Sequence, residues 1–137
     1  MYVTGVDGDT PCYWLNGARH DLPVTGAYGR AYAIAVSGSD VYVMGVDGDT
    51  PCYWLNGVRQ VLPVPGKYGS AGAIAVSGSD VYVVGRDGDE RESTPGYWLN
   101  GARQALPVPG TWAYATVIAV SGSDVYVAGV DGGTPGY

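Results

Sequence analysis

At 137 residues, with 46% apolar and 15% charged content, the chain falls among globular proteins of one domain rather than disordered segments. A net charge of −6 disfavours nucleic-acid backbones and anionic membrane surfaces, both of which need a basic footprint to displace counterions. No stretch approaches the roughly 18 consecutive apolar residues of a membrane span, so neither a nucleic acid nor a membrane is expected as a partner.

The start, Met1-Tyr2-Val3-Thr4-Gly5, lacks the basic and apolar regions of a signal peptide, and the expectation is a soluble chain that is cytoplasmic as expressed. It also begins at the second residue of a repeat, as a fragment excised from a longer array would. Residues 2–40 and 42–80 align without a gap and differ at eight positions: Thr4/Met44, Ala18/Val58, His20/Gln60, Asp21/Val61, Thr25/Pro65, Ala27/Lys67, Arg30/Ser70 and Tyr32/Gly72. The period is therefore 40. A third unit, 81–124, carries four extra residues in the acidic loop RDGDEREST, and a fourth stops at Tyr137. Periods of this size belong to repeat architectures, in which one supersecondary unit needs neighbours to bury its faces.

The 23 Gly and 16 Tyr plus Trp, without Phe, are the vocabulary of strands and tight turns, and no helical stretch is found. Residues 1–26 supply strands two, three and four of a first, partial unit. Residues 31–66 and 71–110 are whole units. In the latter, strand one is 71–76, turned by Ser77-Gly78-Ser79-Asp80; strand two is 81–85, turned by the acidic loop. Strand three is 96–99, turned by Asn100-Gly101 as a type I′ hairpin, and strand four is 103–108, ended by Pro109-Gly110. Residues 113–137 supply strand one, strand two and a stub of strand three. Short connections make each whole unit a four-stranded up-and-down meander.

Side-chain volume grows along a unit, from Ala73, Ile74, Ala75 and Val76 through Val81, Tyr82 and Val83 to Tyr97 and Trp98. Sheets packed radially need such a gradient, because the gap between neighbours widens outwards. Strand four, with Arg103, Gln104 and Pro107, suits an outer edge. The pattern predicts an all-β fold, a β-propeller of about three four-stranded blades per chain. AIAVSGSDVYV, YWLNG and LPVPG together resemble the tandem WxNG-type repeats of bacterial β-propeller proteins over essentially the whole chain, and the resemblance implies that fold and little about ligand or activity. A monomeric β-trefoil is the competing fold, also built from three repeats of about 40 residues; it predicts no radial size gradient and the chain has no QxW signature.

Three blades do not close a propeller. The expectation is a homo-oligomer, a dimer closing six blades, in which strand one at residues 115–120 of one chain completes the N-terminal blade of the other. Each junction then holds a surplus strand two, 2–5 against 125–129.

In a propeller, the loops between strands two and three share a rim with the links from strand four to the next strand one. That rim gathers Asp7, Asp9, Asp47, Asp49, Asp87 and Asp89 with Tyr28, Tyr68, Trp112 and Tyr114. Carboxylates beside aromatics suit a glycan, by ring stacking and hydroxyl acceptance, or Ca²⁺, or a basic protein partner. The blander reading is that Asp-Gly makes the turn and the charge keeps the protein soluble. DGD lacks the further ligands and closing Glu of an EF-type loop, so no cofactor is expected and Ca²⁺ is the one ion worth testing.

The remaining candidates read as structural. Trp14, Trp54 and Trp98 are expected between blades, and Cys12 and Cys52, at one repeat position, as two buried free thiols. Arg59 is expected to pair with Asp40 and Arg103 with Asp80. The single His, His20, has no Ser or Cys placed with it as a nucleophile, and no enzyme is expected. A non-catalytic binding module or self-assembling scaffold is the functional expectation; the alternative is a purely structural repeat protein, designed or recently amplified, without a ligand.

Overall fold

A computed structural model describes residues 1–64, 68–88, 93–106, 113–131 and 134–136. Every regular element among them is a strand, and the strands form four antiparallel sheets in chain order. The first holds β1 (Tyr2–Asp7), β2 (Thr10–Leu15) and β3 (Ala18–Asp21). The second holds β4 (Gly29–Ser37), β5 (Asp40–Asp47), β6 (Thr50–Leu55) and β7 (Val58–Val61). The third holds β8 (Tyr68–Ser77), β9 (Asp80–Gly88), β10 (Ser93–Leu99) and β11 (Ala102–Ala105). The fourth holds β12 (Ala113–Ser121), β13 (Asp124–Asp131) and β14 (Thr134–Gly136). Each sheet is a meander in which sequential strands are neighbours.

Turn chemistry sets the register. Asn56 and Gly57 both have positive φ, 50° and 85°, the pair of left-handed residues that a type I′ turn demands, and the same pair recurs at Asn16-Gly17 and Asn100-Gly101. That turn aligns Trp54 opposite Val43 on one side and Arg59 on the other. A bulge in the first strand shifts the pairing between Ala31 and Ala33. It brings the Arg30 carbonyl within 1.8 Å of where a Cβ on Gly45 would stand, so only glycine fits there. The fourth strand is shorter than the expected 103–108: β11 ends at Ala105 and β7 at Val61. Leu62 still donates its N–H to Pro51 O at 3.0 Å, but Pro63 has no N–H to continue the ladder and the chain leaves the sheet.

The sheets stack in series. β4 packs on β1 and β2, β8 on β4, β5 and β6, and β12 on β8, β9 and β10. The period of two then sorts each sheet into two faces. In the second sheet Val41, Val43, Cys52 and Trp54 point one way and meet Tyr2 and Tyr13 of the first sheet over Leu22. Tyr42, Met44, Tyr53 and Leu55 point the other way and meet Val81, Val83 and Trp98 of the third over Leu62. Each of these two gaps is thus a Tyr-bearing face laid on a Trp-bearing face, sealed by the Leu that begins the link between sheets. Trp54 and Trp98 are both fully buried, as expected of inter-sheet core.

Candidate functional site

The link from β3 to β4 crosses the Trp face of the second sheet and is tied there by three contacts. Trp54 Nε1 donates to Pro23 O at 2.8 Å. Asp47, at the end of β5, accepts from Thr25 N at 2.9 Å, from the Thr25 hydroxyl at 2.8 Å and from Gly26 N at 3.2 Å. Arg59 Nε lies 2.6 Å from Asp47 Oδ2. Burial pushes the Asp47 carboxyl up, but the hydrogen bonds from Thr25 and Gly26 and the Arg59 charge outweigh it and hold it below the ordinary carboxylate value. In the third sheet Trp98 Nε1 donates to Pro63 O at 2.7 Å and Arg103 is paired with Asp87.

These ion pairs differ from the expected Arg59–Asp40 and Arg103–Asp80. Asp40 is taken by Asn56 Nδ2 at 2.9 Å and Asp80 by Asn100 Nδ2 at 3.0 Å. The Arg side chain instead runs along the Trp face: the Arg103 guanidinium carbon stands 5.6 Å from the Trp98 ring centroid and passes over Gly96. A Cβ on Gly96 would come within 2.6 Å of it. This explains the glycine at Gly96; the equivalent positions Cys12 and Cys52 carry a side chain there. Both cysteines are buried free thiols, and burial pushes Cys52 up to about 12.

The acidic rim therefore divides. Asp47 and Asp87 are buried against Arg59 and Arg103 rather than open on a binding face, and the Asp47 carboxylate, which starts its turn, points inward and clamps the incoming link. Asp9 and Asp49, one turn residue further on, are exposed. Tyr28 is also exposed; its hydroxyl donates to Asp49 Oδ1 at 3.0 Å, which raises the phenol above its ordinary pKa. So the structure brings Tyr28 and Asp49 together. Asp89 and Trp112 lie outside the described residues, as do the side chains of Tyr68 and Tyr114. Among the described residues no group of three or more His, Cys, Asp or Glu converges to hold a metal ion.

At the two ends of the stack the same positions are bare. Val3 is 45% exposed where its counterparts Val43 and Val83 are 1% and 0%. Trp14 is only half-buried, and Asp7, with no link to clamp, is exposed and paired with Arg19. At the far end Tyr126 is 60% exposed, against 4% for Tyr42 and 7% for Tyr82. Trp14 was expected between blades with its copies; among the described residues no sheet lies against its face. The chain matches no family model, no curated protein and no solved structure.

Proposed function

We propose that the chain is a non-catalytic β-propeller segment that assembles with a second copy into a closed six-bladed ring. The ring is a scaffold, and its rim offers Asp9, Asp49 and Tyr28 to a glycan or protein ligand. One observation carries the assembly: the first sheet has three strands and leaves Val3 bare, and the last has three and leaves Tyr126 bare, where the copies of both residues inside the stack are buried. A complementary pair of unlike faces is a head-to-tail interface, and such interfaces generate rings when the rotation closes. The serial stack of separate meanders, with first strands β4, β8 and β12 side by side, favours a propeller over a trefoil, whose hairpins share one barrel. The non-catalytic reading is supported by His20, which lies on exposed β3 stacked on Tyr13 at 4.7 Å.

Co-expression of an affinity-tagged and an untagged copy tests the assembly. The untagged copy is recovered with the tagged one, and Trp14→Asp in both abolishes recovery; absence of untagged wild-type chain from the eluate contradicts the reading. A glycan array probed with and without calcium then separates a ligand-binding ring, which gives selective signals, from a scaffold without a sugar ligand, which gives none.

A further inference from the structure

We propose that the second sheet carries one site for a neutral, hydroxyl-rich sugar, in which Tyr28, Arg30 and Tyr32 line up beside Asp49 and Asp9. This rests on the rim reading above; it narrows the ligand to an uncharged hexopyranose and brings in two residues, Arg30 and Tyr32, that set the site apart from its repeat copies.

The backbone places the first ring. Tyr28 lies between two acidic loops and is held by both: Gly48 N donates to its carbonyl at 2.9 Å, and the neighbouring Gly29 N donates to Asp9 O at 3.0 Å. Its hydroxyl donates to Asp49 Oδ1 at 3.0 Å. Just upstream, Thr25 and Gly26 are clamped by Asp47, so the ring is fixed before any ligand arrives. The chain then enters β4, where the alternation of an extended strand sets Arg30 and Tyr32 on the side of Tyr28, with Gly29 buried and Ala31 half-buried between them. Tyr32 is the extra residue of the bulge: Ala31 pairs with Gly45 and Ala33 with Met44, and Tyr32 has no partner across the ladder. A bulge re-aims the side chain it carries, and Tyr32 stands 53% exposed beside Tyr28 at 39%. The Tyr28 phenol is raised first by its bond to Asp49; the Arg30 charge opposes that and Tyr32 adds to it, so the four side chains share one electrostatic neighbourhood.

Each group matches a part of a sugar. The two phenol rings offer apolar faces to the C–H side of a pyranose. Arg30 is exposed, takes part in no ion pair among the described residues, and presents its N–H groups to hydroxyl or ring oxygens. Asp49 and the exposed Asp9 accept hydroxyl hydrogens. One guanidinium against two carboxylates also decides the ligand's charge. An anionic sugar would meet Asp9 and Asp49, a cationic one would meet Arg30, and a neutral polyol uses all three. The fold does not require the pair: the third sheet has Ser70 and Gly72 at these positions, and β8 keeps the same ladder with the same register shift between Ala71 and Ala73.

Saturation-transfer NMR on the intact chain tests this, with the methyl glycosides of glucose, galactose and mannose as neutral probes and glucuronate as the charged one. At least one neutral glycoside receives saturation. The double variant Arg30→Ser/Tyr32→Gly, which installs the pair that β8 already carries, weakens its binding at least about tenfold with the far-UV circular dichroism unchanged. Asp49→Asn is the second variant and loses affinity in the same direction. Binding by both variants within about twofold of wild type puts the sugar elsewhere on the rim and overturns the site, and a stronger signal from glucuronate overturns the neutral class. Silence from all four probes overturns the proposal as well. A glycan array that is silent too would end the ligand-binding reading itself, so the two failures are distinguishable.

Discussion

The indole N–H of Trp54 reaches back 2.8 Å to the carbonyl of Pro23, tying the second sheet to the link that arrives from the first. Trp98 repeats the contact on Pro63 at 2.7 Å. The second and third sheets are thus each bolted to the preceding one by their largest side chain. Trp54→Phe removes the donor to the Pro23 carbonyl and opens a void where the fully buried indole stood, so a loss of about 2 kcal/mol in unfolding free energy is expected from urea titration. A change below about 0.5 kcal/mol would show that the contact contributes nothing beyond apolar packing.

Asp47 is the second bolt. Asp47→Asn keeps its shape but leaves Arg59 half-buried without a counter-charge, and removing one partner of such a pair costs about 3 kcal/mol. Asp49→Asn, two residues on and exposed, should change stability by no more than about 0.5 kcal/mol. Equal effects of the two in thermal melts would contradict the division of the acidic loop into an inward and an outward carboxylate.

The same group sets the acid response. Its folded pKa lies below the ordinary 3.8, so the unfolded chain binds the proton more readily than the folded one. The stabilisation from Asp47 is complete above 3.8 and is lost as pH falls below that value through the folded pKa. The urea midpoint of the wild type should fall between pH 5 and pH 3 more steeply than that of Asp47→Asn, where this titration is gone. Parallel slopes would show that Asp47 is not held by its partners.

Burial pushes the Cys52 thiol up to about 12, and Cys12 is raised as well, so little thiolate forms at pH 8. A disulfide reagent should leave the native protein unmodified over hours and react with two thiols per chain in denaturant. Fast native modification would place a cysteine outside the packed face.

Much of this fold is legible along the chain, because strand and turn are written locally. Asn-Gly at three equivalent positions announces its turns, and alternation assigns Trp54 and Tyr53 to opposite faces. What local reading cannot supply is the direction of a long side chain. Arg59 could as well have turned towards Asp40; it pairs with Asp47, while Asn56 occupies Asp40. Nor does an Asp-Gly-Asp loop declare which carboxylate faces inward. That depends on Thr25 and Gly26, more than twenty residues upstream, which arrive only when the sheets stack. Packing alone separates them: Asp49 and Tyr28 are exposed, and Asp47 belongs to the framework.

The chain is proposed to complete its fold on a second copy of itself. Light scattering on the purified full-length chain over a dilution series tests it most directly. A particle of twice the 14.2 kDa chain mass, with no open-ended growth as concentration rises, is the predicted result. A particle of single-chain mass at every concentration would contradict it.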